Sequence, residues 1–187
     1  MKRLTKSDTR AILLIIVAAI ICGFLCNILI TCVEKLIFPN DYRNIVTEYS
    51  KEYAVPAELI FAIIKVESNF DKNAKSHAGA IGLMQMLPLT YEWLAKSHFG
   101  ESTITDMLYD PQINVKYGTY YLRYLYTRFG SWEKAIIAYN WGEGNFDKFI
   151  EENGYTEGNY NSIPVTETRN YVKKVMRYWE KYNELYK

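Results

Sequence analysis

From Ala11 to Val33 the sequence reads AILLIIVAAIICGFLCNILITCV, a run without a charged residue. At about 1.5 Å of rise per residue, a helix of that length crosses a hydrocarbon core of roughly 30 Å. A core helix of a soluble protein keeps a polar face, whereas only Asn27 and Thr31 break this run. The run therefore predicts a single transmembrane helix in contact with lipid, and it partitions the rest of the chain. Residues 1–10 form a basic N-terminus, 11–33 the span, 34–42 a tether broken at Pro39-Asn40-Asp41, and 43–187 one folded domain. The span is longer than the apolar region of a secretory signal, and no small-x-small cleavage site follows it. Ile21, Leu25 and Thr31 precede Cys22, Cys26 and Cys32, where lipoprotein processing wants a small residue. An uncleaved signal anchor is expected. Lys2, Arg3, Lys6 and Arg10 face one acid, Asp8, on the first flank. The more basic flank tends to stay in the cytoplasm, which puts the domain on the outer side.

All three cysteines lie within the span, so the domain has neither a disulfide nor a thiol nucleophile. The net charge of +1 gives no basic excess of the kind that marks a nucleic-acid binder. Only His77 and His98 are present, without an HExxH or a cysteine cluster in the domain, so no metal site is expected. No GxGxxG or phosphate loop occurs, and no cofactor is expected. The 17 tyrosines suit both a core and stacking on sugar faces.

The domain reads as mainly α. An amphipathic segment, YRNIVTEYSKEYA, precedes Pro56, which suits the first turn of a helix over 56–69. A glycine-rich turn region, SHAGAIGLMQMLP, follows, and Pro88 opens a helix to His98. A polar connection leads to a long helix from Pro111 to Phe129, ended by Gly130. Ser131 caps the next helix, and Gly142 and Gly144 are expected to stop it. Residues 154–162 read as loop and Pro164 precedes a final amphipathic helix. No alternating strand pattern occurs.

Within FAIIKVESNF, one acid is out of place. At about 100° per residue, Glu67 falls in the apolar arc of Leu59, Ile60, Ile63 and Ile64, with Glu58 and Lys65 on the far side. A carboxylate there is disfavoured unless it is paired, exposed in a cleft or protonated. Two readings stay open at this point. Glu67 is a groove-edge acid paired with a base, or a general acid whose pKa is lifted by apolar surroundings. Glycoside cleavage is the chemistry that most needs the second.

Three blocks add to this. VESNFDKNAKSHAGAIGLMQMLP, IIAYNWGEGN and IPVTETRNYVKKV stand in that order across roughly residues 45–180. They resemble the signature, the Ala-Tyr-Asn turn and the closing segment of the soluble lytic transglycosylase family. The resemblance implies a lysozyme-like, goose-type helical domain acting on bacterial peptidoglycan glycan strands. It implies cleavage of the β-1,4 bond between N-acetylmuramic acid and N-acetylglucosamine, with Glu67 as the lone catalytic carboxyl. Glu67 would protonate the glycosidic oxygen and then take the proton of the muramyl C6 hydroxyl, which closes a 1,6-anhydro ring. By the same resemblance Ser76, Gln85, Tyr139, Asn140 and Glu167 line the sugar cleft, with Ser68, Gly79, Gly82 and Met84 in support. Tyr139 is expected to face Glu67.

Trp141, Glu143 and His77 depart from the family pattern, at positions expected on the cleft edge. A muramidase using water as acceptor and an inactive wall-binding protein share the implied fold. An anchored enzyme of this kind would open the wall beside the cytoplasmic membrane, alone or with cell-wall or secretion machinery.

Overall fold

The computed structural model describes residues 6–186, with side chains from Ile12 onward. Of the expected basic N-terminus, Lys2 and Arg3 lie outside the described residues, as do the side chains of Lys6 and Arg10. The chain divides into two units between Pro39 and Asn40.

The first unit is one helix, α1 (Lys6–Ile37). Its stretch Ile12–Ile37 has a mean hydropathy of 3.0 and is nowhere buried, which makes it long and apolar enough to cross a membrane. The Thr31 hydroxyl donates to the Asn27 carbonyl at 3.0 Å, so this polar side chain is satisfied within the helix. The helix runs past Val33, and residues 34–37 of the expected tether are helical.

The second unit is helical throughout, with no strand among its described residues. Its elements are α2 (Arg43–Tyr53), α3 (Ala57–Glu67), α4 (Pro88–Leu94), α5 (Pro111–Phe129), α6 (Trp132–Trp141), α7 (Glu143–Asn153) and α8 (Thr166–Tyr186). A wider helical turn, Ala95–Phe99, extends α4, and tighter turns form at Thr105–Tyr109 and Tyr160–Ser162.

α3 is the central element. Leu59 to Ile64 are buried without interruption, so the helix is covered on every side rather than along one stripe. It packs along α8, while α5 packs on α2 and α6, and α6 packs on α8. Leu59, Ile63, Leu83, Val115, Leu122, Ile136 and Val172 meet in this core with no exposed surface. Each such side chain contributes about 1.5–3 kcal/mol of transfer free energy.

Local chemistry sets most helix ends. Asp110 caps α5 by accepting from the Gln112 and Ile113 amides, with Pro111 behind it. Ser131 accepts from the Lys134 amide at 3.3 Å and caps α6. Two ends differ from expectation. α3 stops at Glu67 because Asn69 and Phe70 take left-handed backbone, at φ 51° and 68°. Only Gly142 interrupts the chain after α6; Gly144 lies inside α7, which restarts at the next residue.

Candidate active site

Glu67 is the last residue of α3, and the chain reverses directly after it. The Ser68 hydroxyl donates to the Leu83 carbonyl at 2.8 Å, tying the helix end to the loop of residues 71–87. That loop folds back on itself twice. Ile81 exchanges backbone hydrogen bonds with Met86, at 3.0 Å each way, and the Gly82 amide donates to Ala74 at 2.9 Å. One buried side chain from α5 holds it in place. Asn114 accepts from the Met84 amide at 2.7 Å and donates to the Ile81 and Leu108 carbonyls, both at 2.8 Å. Gly82, at φ 80°, lies against the Asn114 side chain and the Leu108 carbonyl, where a Cβ would collide with both. A Cβ on Gly118 would come within 2.6 Å of Met84 Sδ, so the same loop seats closely on α5.

The loop and the ends of α3, α6 and α8 enclose a cleft of about 570 Å³. Glu67, Ser76, Gln85, Tyr139, Asn140 and Glu167 all line it. Trp141 and His77 line it as well, while Glu143 begins α7 beside it. The Gln85 amide donates to the Ala74 and Gly82 carbonyls, at 3.1 and 2.9 Å. Only its oxygen is left to meet a ligand, as an acceptor. Gln85 also holds left-handed backbone, at φ 49°, a conformation that costs a residue other than glycine about 1–3 kcal/mol. The Ser76 hydroxyl accepts from the Ala80 amide at 3.1 Å and so shapes the turn that carries Gly79.

Three supporting residues lie behind the lining. Ser68 and Gly82 are tied into the loop as described, and the Met84 side chain is fully buried core. The Met84 carbonyl accepts the Tyr139 hydroxyl at 2.8 Å. Tyr139 thus lines the cleft alongside Glu67 while its donor is committed to the loop. The hydroxyl that meets Glu67 belongs to Tyr171 of α8, which donates to Oε1 at 2.6 Å.

Burial pushes the Glu67 carboxyl up to about 7. The Tyr171 hydrogen bond opposes that rise, the Glu167 charge adds to it, and Lys174 weakly opposes it. Its place at the helix C-terminus, the negative end of the dipole, acts in the same direction as burial. Desolvation, with the Glu67 charge adding to it, also raises Tyr171 and Tyr139 well above the ordinary phenol range, so both hydroxyls stay protonated. The cleft therefore holds one carboxyl able to carry a proton near neutrality, beside an exposed acid, Glu167.

Comparison with known proteins gives the family. Residues 44–162 match the model of the transglycosylase SLT domain. The chain belongs to this family. The SLT match covers the α3 end, the loop and α6, and so includes Glu67, Gln85 and Tyr139. The soluble lytic murein transglycosylase of Escherichia coli K12 is 35% identical over 150 residues, covering 75% of this chain and 23% of that protein. The membrane-bound lytic murein transglycosylase C of Actinobacillus pleuropneumoniae is 32% identical over 167 residues, covering 76% of this chain and 46% of that protein. The crystal structure of the 70 kDa soluble lytic transglycosylase of Escherichia coli superposes with a TM-score of 0.74 and 31% identity, over 81% of this chain and 25% of that one. The fold is thus the lysozyme-like helical fold of the SLT enzymes, preceded here by one apolar helix. This chain spans less than half the length of each of these relatives.

Two positioning residues went unread in the sequence. Tyr171 stands one helical turn after Glu167, and that spacing puts both on one face of α8. Asn114 is a polar residue among the buried positions of α5 and so needs partners, the same signal that singled out Glu67.

Proposed function

We propose that this protein is a peptidoglycan lytic transglycosylase. In this reading it cleaves the β-1,4 bond between N-acetylmuramic acid and N-acetylglucosamine and leaves a 1,6-anhydro end. The observation that carries the proposal is the placement of Glu67, a cleft carboxyl withdrawn from water at a helix C-terminus and held by one phenol, while the second cleft acid, Glu167, is exposed. Protonated Glu67 gives its proton to the glycosidic oxygen as the bond to the anomeric carbon breaks, and the glucosamine end leaves as an alcohol. The resulting carboxylate takes the proton of the muramyl C6 hydroxyl while that oxygen attacks the anomeric carbon. The proton returns to Glu67, and no water is consumed. Tyr171 occupies Oε1, which leaves Oε2 to carry the proton in both steps. Because the substrate supplies the nucleophile, a second carboxylate at the usual pair spacing is not required. In this reading Gln85 and Ser76 position sugar substituents, and Asn140 and Glu167 bind across the cleft.

The names of the relatives support the reaction, and those relatives include membrane-bound members. We read α1 as a single-pass anchor in the cytoplasmic membrane that carries the domain on the outer side.

The test is mass spectrometry of muropeptides released from purified sacculi by the full chain in detergent. Anhydro-muramyl ends that resist borohydride reduction are expected, and Glu67→Gln should release none. Reducible ends would instead assign a muramidase with water as acceptor.

A further inference from the structure

The cleft does not end its chemistry at its rim. Thr90 of α4 and Tyr121 of α5 line its edge. Three residues along each helix stand Trp93 and Tyr124, on the same face one turn further out. Their rings are in contact with the lining. Tyr124 lies nearly parallel to Tyr121, with centroids 6.2 Å apart and planes 13° apart. Trp93 stands across both, 6.5 Å from Tyr121 and 5.2 Å from Tyr124, at 84° and 76°. Exposed His98 closes the group, with its ring 5.1 Å from Trp93 and its Nδ1 3.0 Å from the Tyr120 hydroxyl.

We infer that Trp93 and Tyr124 form a second carbohydrate-binding shelf, which takes sugar rings of the same glycan strand beyond the catalytic cleft. This rests on the transglycosylase reading and extends it to the length of strand the protein holds. Three features favour a glycan as occupant. The shelf is continuous with the cleft wall through Tyr121, so a strand leaving the cleft over that edge meets it next. The step from Tyr121 to Tyr124 is of the order of one sugar ring along an extended strand. Both shelf residues are half-buried rings braced by neighbours, so contact with a sugar would not require ordering a flexible side chain. Neither carries a charge, which suits a neutral N-acetylated sugar.

The test uses the full chain in detergent with Glu67→Gln, so that bound strands are not consumed. Binding is measured by calorimetry for two peptidoglycan glycan fragments, one just long enough to fill the cleft and one several sugars longer. Adding Trp93→Ala with Tyr124→Ala should weaken the longer strand about tenfold, with the shorter changed less than about twofold. Thermal unfolding of the same proteins reports any loss of fold. Equal weakening of both fragments, or none for the longer, overturns the shelf. If the Glu67→Gln chain with its shelf intact binds neither fragment, the carbohydrate reading itself fails, and the shelf with it.

Discussion

Two glutamates sit in helices of the same domain and have opposite surroundings. Glu133 lies in the first turn of α6, where the helix dipole favours a negative charge. Three donors converge on it: the Tyr155 hydroxyl and Gly158 amide, both at 2.7 Å, and the Tyr160 hydroxyl at 2.9 Å. Its carboxylate pins the loop between α7 and α8. Glu67 lies at the last position of α3, at the unfavourable end of the dipole, and receives one phenol. By total exposure Glu133 is the more deeply buried of the two. Burial lifts the Glu67 carboxyl but is shared by Glu133, so the supply of donors and the end of the helix are what set the anchoring acid apart from the proposed general acid.

Activity should separate them most. Glu67→Gln keeps the shape and removes the transferable proton, so turnover on sacculi should fall by about 10³-fold or more. Glu133→Gln should leave turnover within about threefold, because no step passes through it. Equal losses in the two variants would break the comparison.

Stability should separate them in the opposite sense. Glu67 has its folded pKa raised from 4.5 to about 7, so the folded protein binds the extra proton between those values. The contribution of this one group is fully present below pH 4.5 and is lost as pH rises from there through 7. Glu67→Gln avoids that loss and should be more stable than wild type by about 2–3 kcal/mol at pH 8, with the gain vanishing near pH 4. Denaturant melts at the two pH values measure it, and a gain independent of pH would assign the effect to packing. Glu133→Ala should instead destabilise by about 2 kcal/mol, because two phenols and an amide lose their acceptor.

How far the sequence announces these roles depends on the distance over which each is set. Pro111, Gly130 and Ser131 act on their own helix ends, and the structure has α5 and α6 where they put them. Glu67 breaks an apolar period within one helix, so it stood out before any contact was known. Gln85, Ser76 and Tyr139 were readable only through the family motifs. The partners of Glu67 and Met84 were not readable at all, because Tyr171 lies 104 residues from Glu67 and Asn114 lies 30 from Met84. The early end of α3 was hidden for a related reason. Asn69 and Phe70 accept left-handed backbone only because the loop they enter is fixed elsewhere, by Asn114 and Ser68.

The smallest effect tests the reason for the contrast. Glu133 has three donors to lose and Glu67 has one, so deleting that one should act on its titration rather than on the fold. Tyr171→Phe keeps the buried ring and removes only the hydroxyl that favours the ionised form of Glu67. Its pKa should move further up, and the weaker acid should slow turnover about tenfold, the worth of one hydrogen bond to a charged group. The alkaline limb of the pH–rate profile should move to higher pH in the same variant, because Glu67 then holds its proton over a wider range. The deficit against wild type should accordingly narrow as pH rises above 7. Loss of turnover by the same factor at every pH would mean that Tyr171 only packs against α3, and that burial and the helix end set the Glu67 proton without it.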